Sequence, residues 1–263
     1  YVLRAQISKL LIEKKGFSFI AVEGDWPDCY RLNRFVKGYD ANAKGSFQVL
    51  HAFDRWPTWM WANWEISALA DWMFQHNKGL TSNKKAGFYG LDVYSLWESM
   101  ESIMAYLKQK DPAALKIAEK AFHCFEPFRK DEGRTYGWAG RLVPELCQDE
   151  VIGMLKEIQK KLPNYNTDHE HVFSAEQNAL VAVHAEKYYR AMVKGGPESW
   201  NIRDRHMADT SNRLLTFHGP KAKAIVWAHN THIGDARATD MASDGMYNIG
   251  QLGRLHKGKE NVV

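Results

Sequence analysis

Two histidines stand three positions apart in His229-Asn-Thr-His232, directly after a short apolar run. Glu23 and Asp25 follow a second such run, and Asp92 closes a third. Imidazoles and carboxylates are the side chains that move protons near neutral pH, and the same types bind divalent metals. An open parallel sheet binds its ligands outside the carboxyl ends of its strands. If the three runs are strands of one such sheet, segments distant in sequence bring two imidazoles and up to three carboxylates to one rim. That convergence points to general acid–base chemistry or to a metal site.

Each residue also has a purely structural reading. A carboxylate after a strand often caps the next helix, which fits Asp25 before Trp-Pro-Asp and Asp92 before a helix starting near Tyr94. Glu is a poor N-cap, so Glu23 after a fully apolar strand favours function. The HxxH spacing does not match the zinc-protease pattern of two histidines four apart with a glutamate between them. His169 and His171 flank Glu170 in a polar stretch that reads as a solvated helix start. Arg205 and His206 lie in the cluster Arg203-Asp-Arg-His-Met-Ala-Asp209, which on a helix faces either a lid or the site. Ten tryptophans exceed what a core of this size needs. Most read as core, but the group Trp56, Trp59, Trp61, Trp64 and Trp72 could wall a large apolar substrate. No GxSxG elbow, P-loop or GxGxxG is present, which disfavours serine hydrolases, NTPases and dinucleotide enzymes.

The elements that must position these groups follow from periodicity and breakers. Residues 1–15 read as a helix, with Leu3, Ile7, Leu10 and Leu11 on one face and Gly16 as its C-cap. Residues 17–22 are a nearly continuous apolar run, as in a buried parallel strand. Residues 23–27 form a turn, 28–36 a helix, and 54–78 a tryptophan-rich helical stretch. Residues 86–91 are a second strand. Residues 93–218 are mostly helical, punctuated by Asp111-Pro112, Gly133, Pro144, Pro163 and Gly195-Gly196-Pro197. Residues 222–228 are a third strand. The expected class is α/β, a parallel or mixed sheet carrying a large, mostly helical insertion that forms a lid. Residues 1–95 and 196–263 would form the core and 96–195 the inserted subdomain.

Composition narrows the function classes. The 263 residues are 45% apolar, 25% charged and 13% aromatic, which is globular rather than disordered. No stretch has the ~18 uninterrupted apolar residues of a membrane span. The net charge of +4 is spread along the chain without a basic block, so nucleic acid is not an expected partner. Cys29, Cys124 and Cys147 show no CxxC spacing and cannot form a complete disulfide set, which favours a reducing, cytoplasmic setting. The sequence opens inside a helical pattern, and Val262-Val263 reads as a strand beginning, so a fragment with flanking elements missing is expected.

Several segments together resemble the erythromycin esterase family. They are Phe19-Ile-Ala-Val-Glu-Gly-Asp-Trp-Pro27 with Arg31-Leu-Asn-Arg34, Phe88-Tyr-Gly-Leu-Asp-Val-Tyr94, Ser199-Trp-Asn-Ile-Arg-Asp-Arg-His-Met-Ala-Asp209, and Val226-Trp-Ala-His-Asn-Thr-His-Ile-Gly234. Residues 240–253, ending Asn-Ile-Gly-Gln-Leu-Gly, fit too. The resemblance implies hydrolysis of an ester, in the best-known members the lactone of a macrolide antibiotic. It also implies an α/β core with a mostly helical subdomain and a cleft between them. Arg4, Glu23, His229 and His232 match the family's site positions. The family's Gly-Glu-x-x-His-Gly segment, whose histidine is thought to activate water, would fall upstream of Tyr1.

The leading expectation is therefore a metal-independent esterase acting on a small-molecule substrate. Arg4, Glu23, His229 and His232 carry the chemistry, and Asp25, Trp26, Asp92, Arg205 and His206 line or support the site. A second reading is a divalent-metal hydrolase with Glu23, His229 and His232 as ligands. A third is a non-catalytic module that binds a macrocyclic or aromatic ligand.

Overall fold

The structure is a computed structural model that describes residues 1–55, 57–131, 133–143, 146–161 and 168–260. Trp56, Pro144, Pro163, Val262 and Val263, named above, lie outside the described residues. Contacts divide the chain into two units. The first is Tyr1–Leu91 with Asp209–His229, and the second is Asp92–Ala208 with Asn230–Val263. The second unit thus takes in 196–208 and the segment after His229, which the sequence reading places in the core. The reason is local: the start of a long helix at 198 bonds to the loop before residue 249, as described below.

In the first unit, α1 (Val2–Lys15) ends where Gly16 turns left-handed at φ 66° and the Gly16 and Phe17 N–H groups close on the Ile12 and Leu11 carbonyls. Its buried positions are Ala5, Ser8 and Ile12, while Leu3, Ile7 and Leu10 are exposed, so the expected apolar stripe is not the packed face. β1 (Phe19–Asp25) starts with four fully buried apolar residues and runs on through Glu23 and Asp25, which the sequence reading placed in a turn. Pro27 stands near the start of α2 (Trp26–Val36), where its missing N–H costs nothing. α3 (Ser46–Leu50) follows. The expected long helix over 54–78 is shorter: a single 3₁₀ turn at Thr58–Met60 follows Pro57, and α4 (Trp64–Asn77) begins only after Asn63, whose side chain accepts the Ile66 N–H.

β2 (Gly87–Asp92) and β3 (Ala224–Trp227) complete a three-stranded parallel sheet in the order β2-β1-β3. Phe19 pairs with Ala224 and Val22 with Trp227. Gly90 is required by contact rather than by conformation. A Cβ there would stand 2.4 Å from the Gly24 and Asp25 carbonyl oxygens, so only glycine lets β2 lie this close to the end of β1.

In the second unit, α5 (Leu96–Lys110), α6 (Pro112–Phe125), α7 (Arg134–Leu142), α8 (Gln148–Lys161) and α9 (His169–Met192) share one core. Leu96, Met100, Ile103 and Leu107 recur at helical spacing on the buried face of α5, and Ala114, Ala118, Ala121 and Phe125 do so on α6. α10 (Glu198–His218) contributes residues to both units, and α11 (Asn230–Ile233), α12 (Ile249–Lys257) and a 3₁₀ turn at Gly258–Glu260 follow β3. Cys124 and Cys147 form a disulfide, which corrects the expectation of reduced thiols. The two are 23 residues apart, so only the packing of α6 beside the start of α8 pairs them. Cys29 remains a buried free thiol. None of the described helices is long and apolar enough to cross a membrane.

His184 on α9 meets His206 on α10, with Nδ1 to Nδ1 at 2.7 Å. Burial, and then the Lys187 charge, lower the His184 imidazole from 6.5 to about 4. The unfolded chain takes up that proton near pH 6.5 and the folded chain only near pH 4, so stability falls as pH drops through that window. The loss expected is ~2–3 kcal/mol. Denaturant midpoints measured across this range should show it, and His184→Gln should flatten the slope. An unchanged slope in that variant would assign the acid sensitivity elsewhere.

Candidate functional site

In the first unit the site begins with Glu23. β1 carries it just past the buried run Phe19–Val22, where the strand emerges from the core. The Glu23 carboxylate accepts the backbone N–H of His229 at 2.8 Å, joining residues 206 positions apart. The parallel register of β1 and β3 makes this contact, because Val22 pairs with Trp227 and each strand then delivers its next residues at the same end. The Trp61 indole N–H donates to the Glu23 carbonyl at 2.7 Å and fixes the backbone of the same residue. His229 itself is exposed, as is Arg4 on α1.

Asp25 occupies the N-cap position of α2 but makes no capping bond. Its carboxylate pairs with the Arg55 guanidinium instead. Trp26 is fully buried and stacks on Tyr30 and Tyr89, with centroids 6.1 and 5.7 Å away, which makes it part of the first unit's core.

The second unit holds a chain of buried polar groups. Asp92, the last residue of β2, does not cap α5, whose N-cap position is Ser95. Its carboxylate takes two bonds from Arg203, from Nε at 2.9 Å and from NH2 at 2.7 Å. This is the planar fork-on-fork arrangement that makes arginine–carboxylate pairs strong. The guanidinium lies 4.7 Å over the Tyr94 ring. Burial, then the Asp92 charge, hold the Tyr94 phenol above its ordinary range, so it stays protonated. Arg203 also directs NH1 at His232 Nε2, 3.1 Å away. His232 Nδ1 stands 2.9 and 3.0 Å from the two Asp204 oxygens. Asp204 is fully buried and accepts the Ile249 N–H at 3.0 Å. Burial raises its carboxyl above the usual range, opposed by the His232 bond and then by Ile249 and Arg203. The Trp200 indole stacks on the His232 ring at 4.5 Å and 3°.

Local sequence explains this arrangement. Trp200, Arg203 and Asp204 are at i, i+3 and i+4 on α10 and therefore share a face. Asn201 bonds the Tyr247 N–H and the Gly245 carbonyl, and Trp200 Nε1 bonds the Tyr247 carbonyl. Asn248 caps α12 by accepting the Gln251 N–H and donates to the Thr231 carbonyl, next to His232. Gly250 packs on the Ile233 and Gly234 carbonyls, which would lie 2.2 and 1.9 Å from any Cβ.

Arg203 and Asp204, rather than their neighbours Arg205 and His206 to which the sequence points, make these contacts. Arg205 is exposed and lies 5.1 Å from the Tyr247 ring, and His206 faces α9. Helical spacing from Trp200 was the signal that separates the two faces. Among the described residues, no three His, Cys, Asp or Glu side chains are arranged to hold a metal ion.

The described residues form an α/β fold with polar groups at the ends of its strands. The chain belongs to the erythromycin esterase family, whose model matches residues 12–263. It is 21% identical to an erythromycin esterase type II of Escherichia coli, over 98% of this chain and 62% of that protein. It also resembles solved structures: a succinoglycan biosynthesis protein (TM-score 0.76, 19% identity, 99% of this chain and 60% of that one) and a Bacillus cereus protein (0.76, 20%, 98% and 60%). A mutant of the erythromycin esterase EreC in its open conformation gives 0.72 at 16% identity, over 98% of this chain and 63% of that one. At these identities the solved structures establish the fold. The chain spans about three-fifths of the length of these relatives.

Proposed function

We propose that this protein is a carboxylic ester hydrolase that cleaves a small-molecule ester or a macrolide lactone by general-base activation of water. The observation that carries this reading is the bond between the Glu23 carboxylate and the His229 backbone, in a chain of this family. It ties the end of β1 to the end of β3 and leaves the His229 imidazole exposed. In this reading Glu23 orients the general base or raises its basicity. His229 polarises the ester carbonyl or donates to the tetrahedral oxyanion, a contribution of ~3–4 kcal/mol for a good donor. Arg4 holds the substrate or its carboxylate product.

Protein groups activate the water in this proposal, without a resident metal. The chemistry of the donor set supports that. His232 has a carboxylate at one nitrogen and a guanidinium, a cation, at the other, which is no setting for a third ligand beside Glu23 and His229. The test is hydrolysis of macrolides and of simple aryl esters by the full-length protein, with metal analysis of the same preparation. Turnover by metal-free enzyme is expected. Activity lost to chelators and restored by zinc or manganese would favour the metallohydrolase. Tight ligand binding with no turnover of any ester would favour a binding module.

A further inference from the structure

The pair of histidines in His229-Asn-Thr-His232 reads from sequence as two equivalent groups, and the structure separates them. His229 is exposed, whereas His232 is 2% exposed and has a partner on each ring nitrogen. A carboxylate only accepts when ionised, so the nitrogen facing Asp204 carries the proton. A guanidinium only donates, so the nitrogen facing Arg203 is bare. An imidazolium would set an N–H against the Arg203 N–H, and the opposite tautomer would do the same while leaving Asp204 without its donor.

We propose that His232 is a positioning residue, held by Asp204 as the neutral Nδ1–H tautomer so that Nε2 accepts from Arg203 and locks that guanidinium onto Asp92. Trp200 fixes the plane of the ring, and the Ile249 N–H fixes the carboxylate behind it. Four side chains, Asp204, His232, Arg203 and Asp92, thus form one hydrogen-bonded chain in which Arg203 donates both to Asp92 and to His232, and His232 donates to Asp204. The chain ends at the carboxyl end of β2, where an α/β sheet presents its chemistry. In this arrangement His232 acts through Arg203 and does not itself give a proton to substrate. The kinetic half of the proposal rests on the esterase reading above, and the tautomer half does not.

The experiment is nitrogen NMR of the full-length protein with ¹⁵N-labelled histidine, the His232 signals being assigned as those lost in His232→Gln. At neutral pH the wild-type protein should show Nδ1 protonated and Nε2 bare. An Nε2–H tautomer or an imidazolium there would overturn the proposal, and this measurement needs no substrate. Asp204→Asn should then shift the tautomer balance of His232, because an amide can present an N–H where the carboxylate only accepted. On an ester substrate the same variant should lose ~10- to 100-fold in kcat with little change in KM, the scale of removing an outer partner that orients a functional side chain. An unaltered His232 spectrum in Asp204→Asn, or unchanged kcat, would refute the role of Asp204. Absence of any hydrolysis by the wild-type protein would count against the esterase reading alone and leave the spectrum to decide this one.

Discussion

Glu23→Gln is expected to lower kcat/KM for ester hydrolysis by ~100- to 1,000-fold, the scale of losing one acid–base or electrostatic group at the reacting centre. The substitution keeps the shape of the side chain. Its amide oxygen can still accept the His229 N–H, now at 2.8 Å from a carboxylate oxygen, so the link between β1 and β3 survives. What is lost is the negative charge and its ability to orient and strengthen a base. The Trp61 bond goes to the backbone carbonyl of the residue and is untouched. The melting temperature should therefore stay close to that of wild type. Paired measurements of steady-state kinetics and thermal unfolding check this. Near-normal turnover with a lowered melting temperature would make Glu23 a structural strap between strands.

Arg203→Met is expected to destabilise the protein by ~3–5 kcal/mol, the cost of stranding one member of a buried ion pair. The side chains of Arg203 and Asp92 are only 12% and 6% exposed, so water cannot replace the lost fork. The same change removes the donor facing His232 Nε2. Replacing both members, as Arg203→Met with Asp92→Leu, should recover part of the loss, because Asp92 no longer leaves a buried carboxylate stripped of its guanidinium. Denaturant unfolding of the two variants, read at constant m-value, gives the comparison. A loss below ~1 kcal/mol in the single variant would place the pair in solvent-screened surroundings.

How much of this was legible in the sequence depends on how far each contact reaches along the chain. The three strands announce themselves locally, as short apolar runs, and their alternation with helices implies a parallel or mixed sheet, which the structure resolves as parallel. Their ends are less legible: Glu23 and Asp25 are polar yet still part of β1, because pairing with a neighbouring strand, not hydrophobicity, sets where a strand stops. Helix faces are legible only when periodicity outranks residue type. Arg205 and His206 attract attention by chemistry, but Arg203 and Asp204 share the face of Trp200. The role of Asp92 lay beyond reach, since its partner is 111 residues away and nothing local distinguishes it from a capping aspartate. The Cys124–Cys147 bond was hidden for the same reason, as spacing carries no record of how α6 approaches the start of α8.

Gly90 has a consequence for how this protein can change over generations. Every amino-acid replacement at that codon adds a Cβ, and any Cβ there collides with the Gly24 and Asp25 carbonyls beside Glu23. A residue with no functional group thus constrains inheritance as tightly as the carboxylate it stands near. Variants that retune the end of β1 must arise at side chains such as Asp25 or Arg55, whose alteration leaves the backbone in place, because the path through Gly90 is closed to single steps.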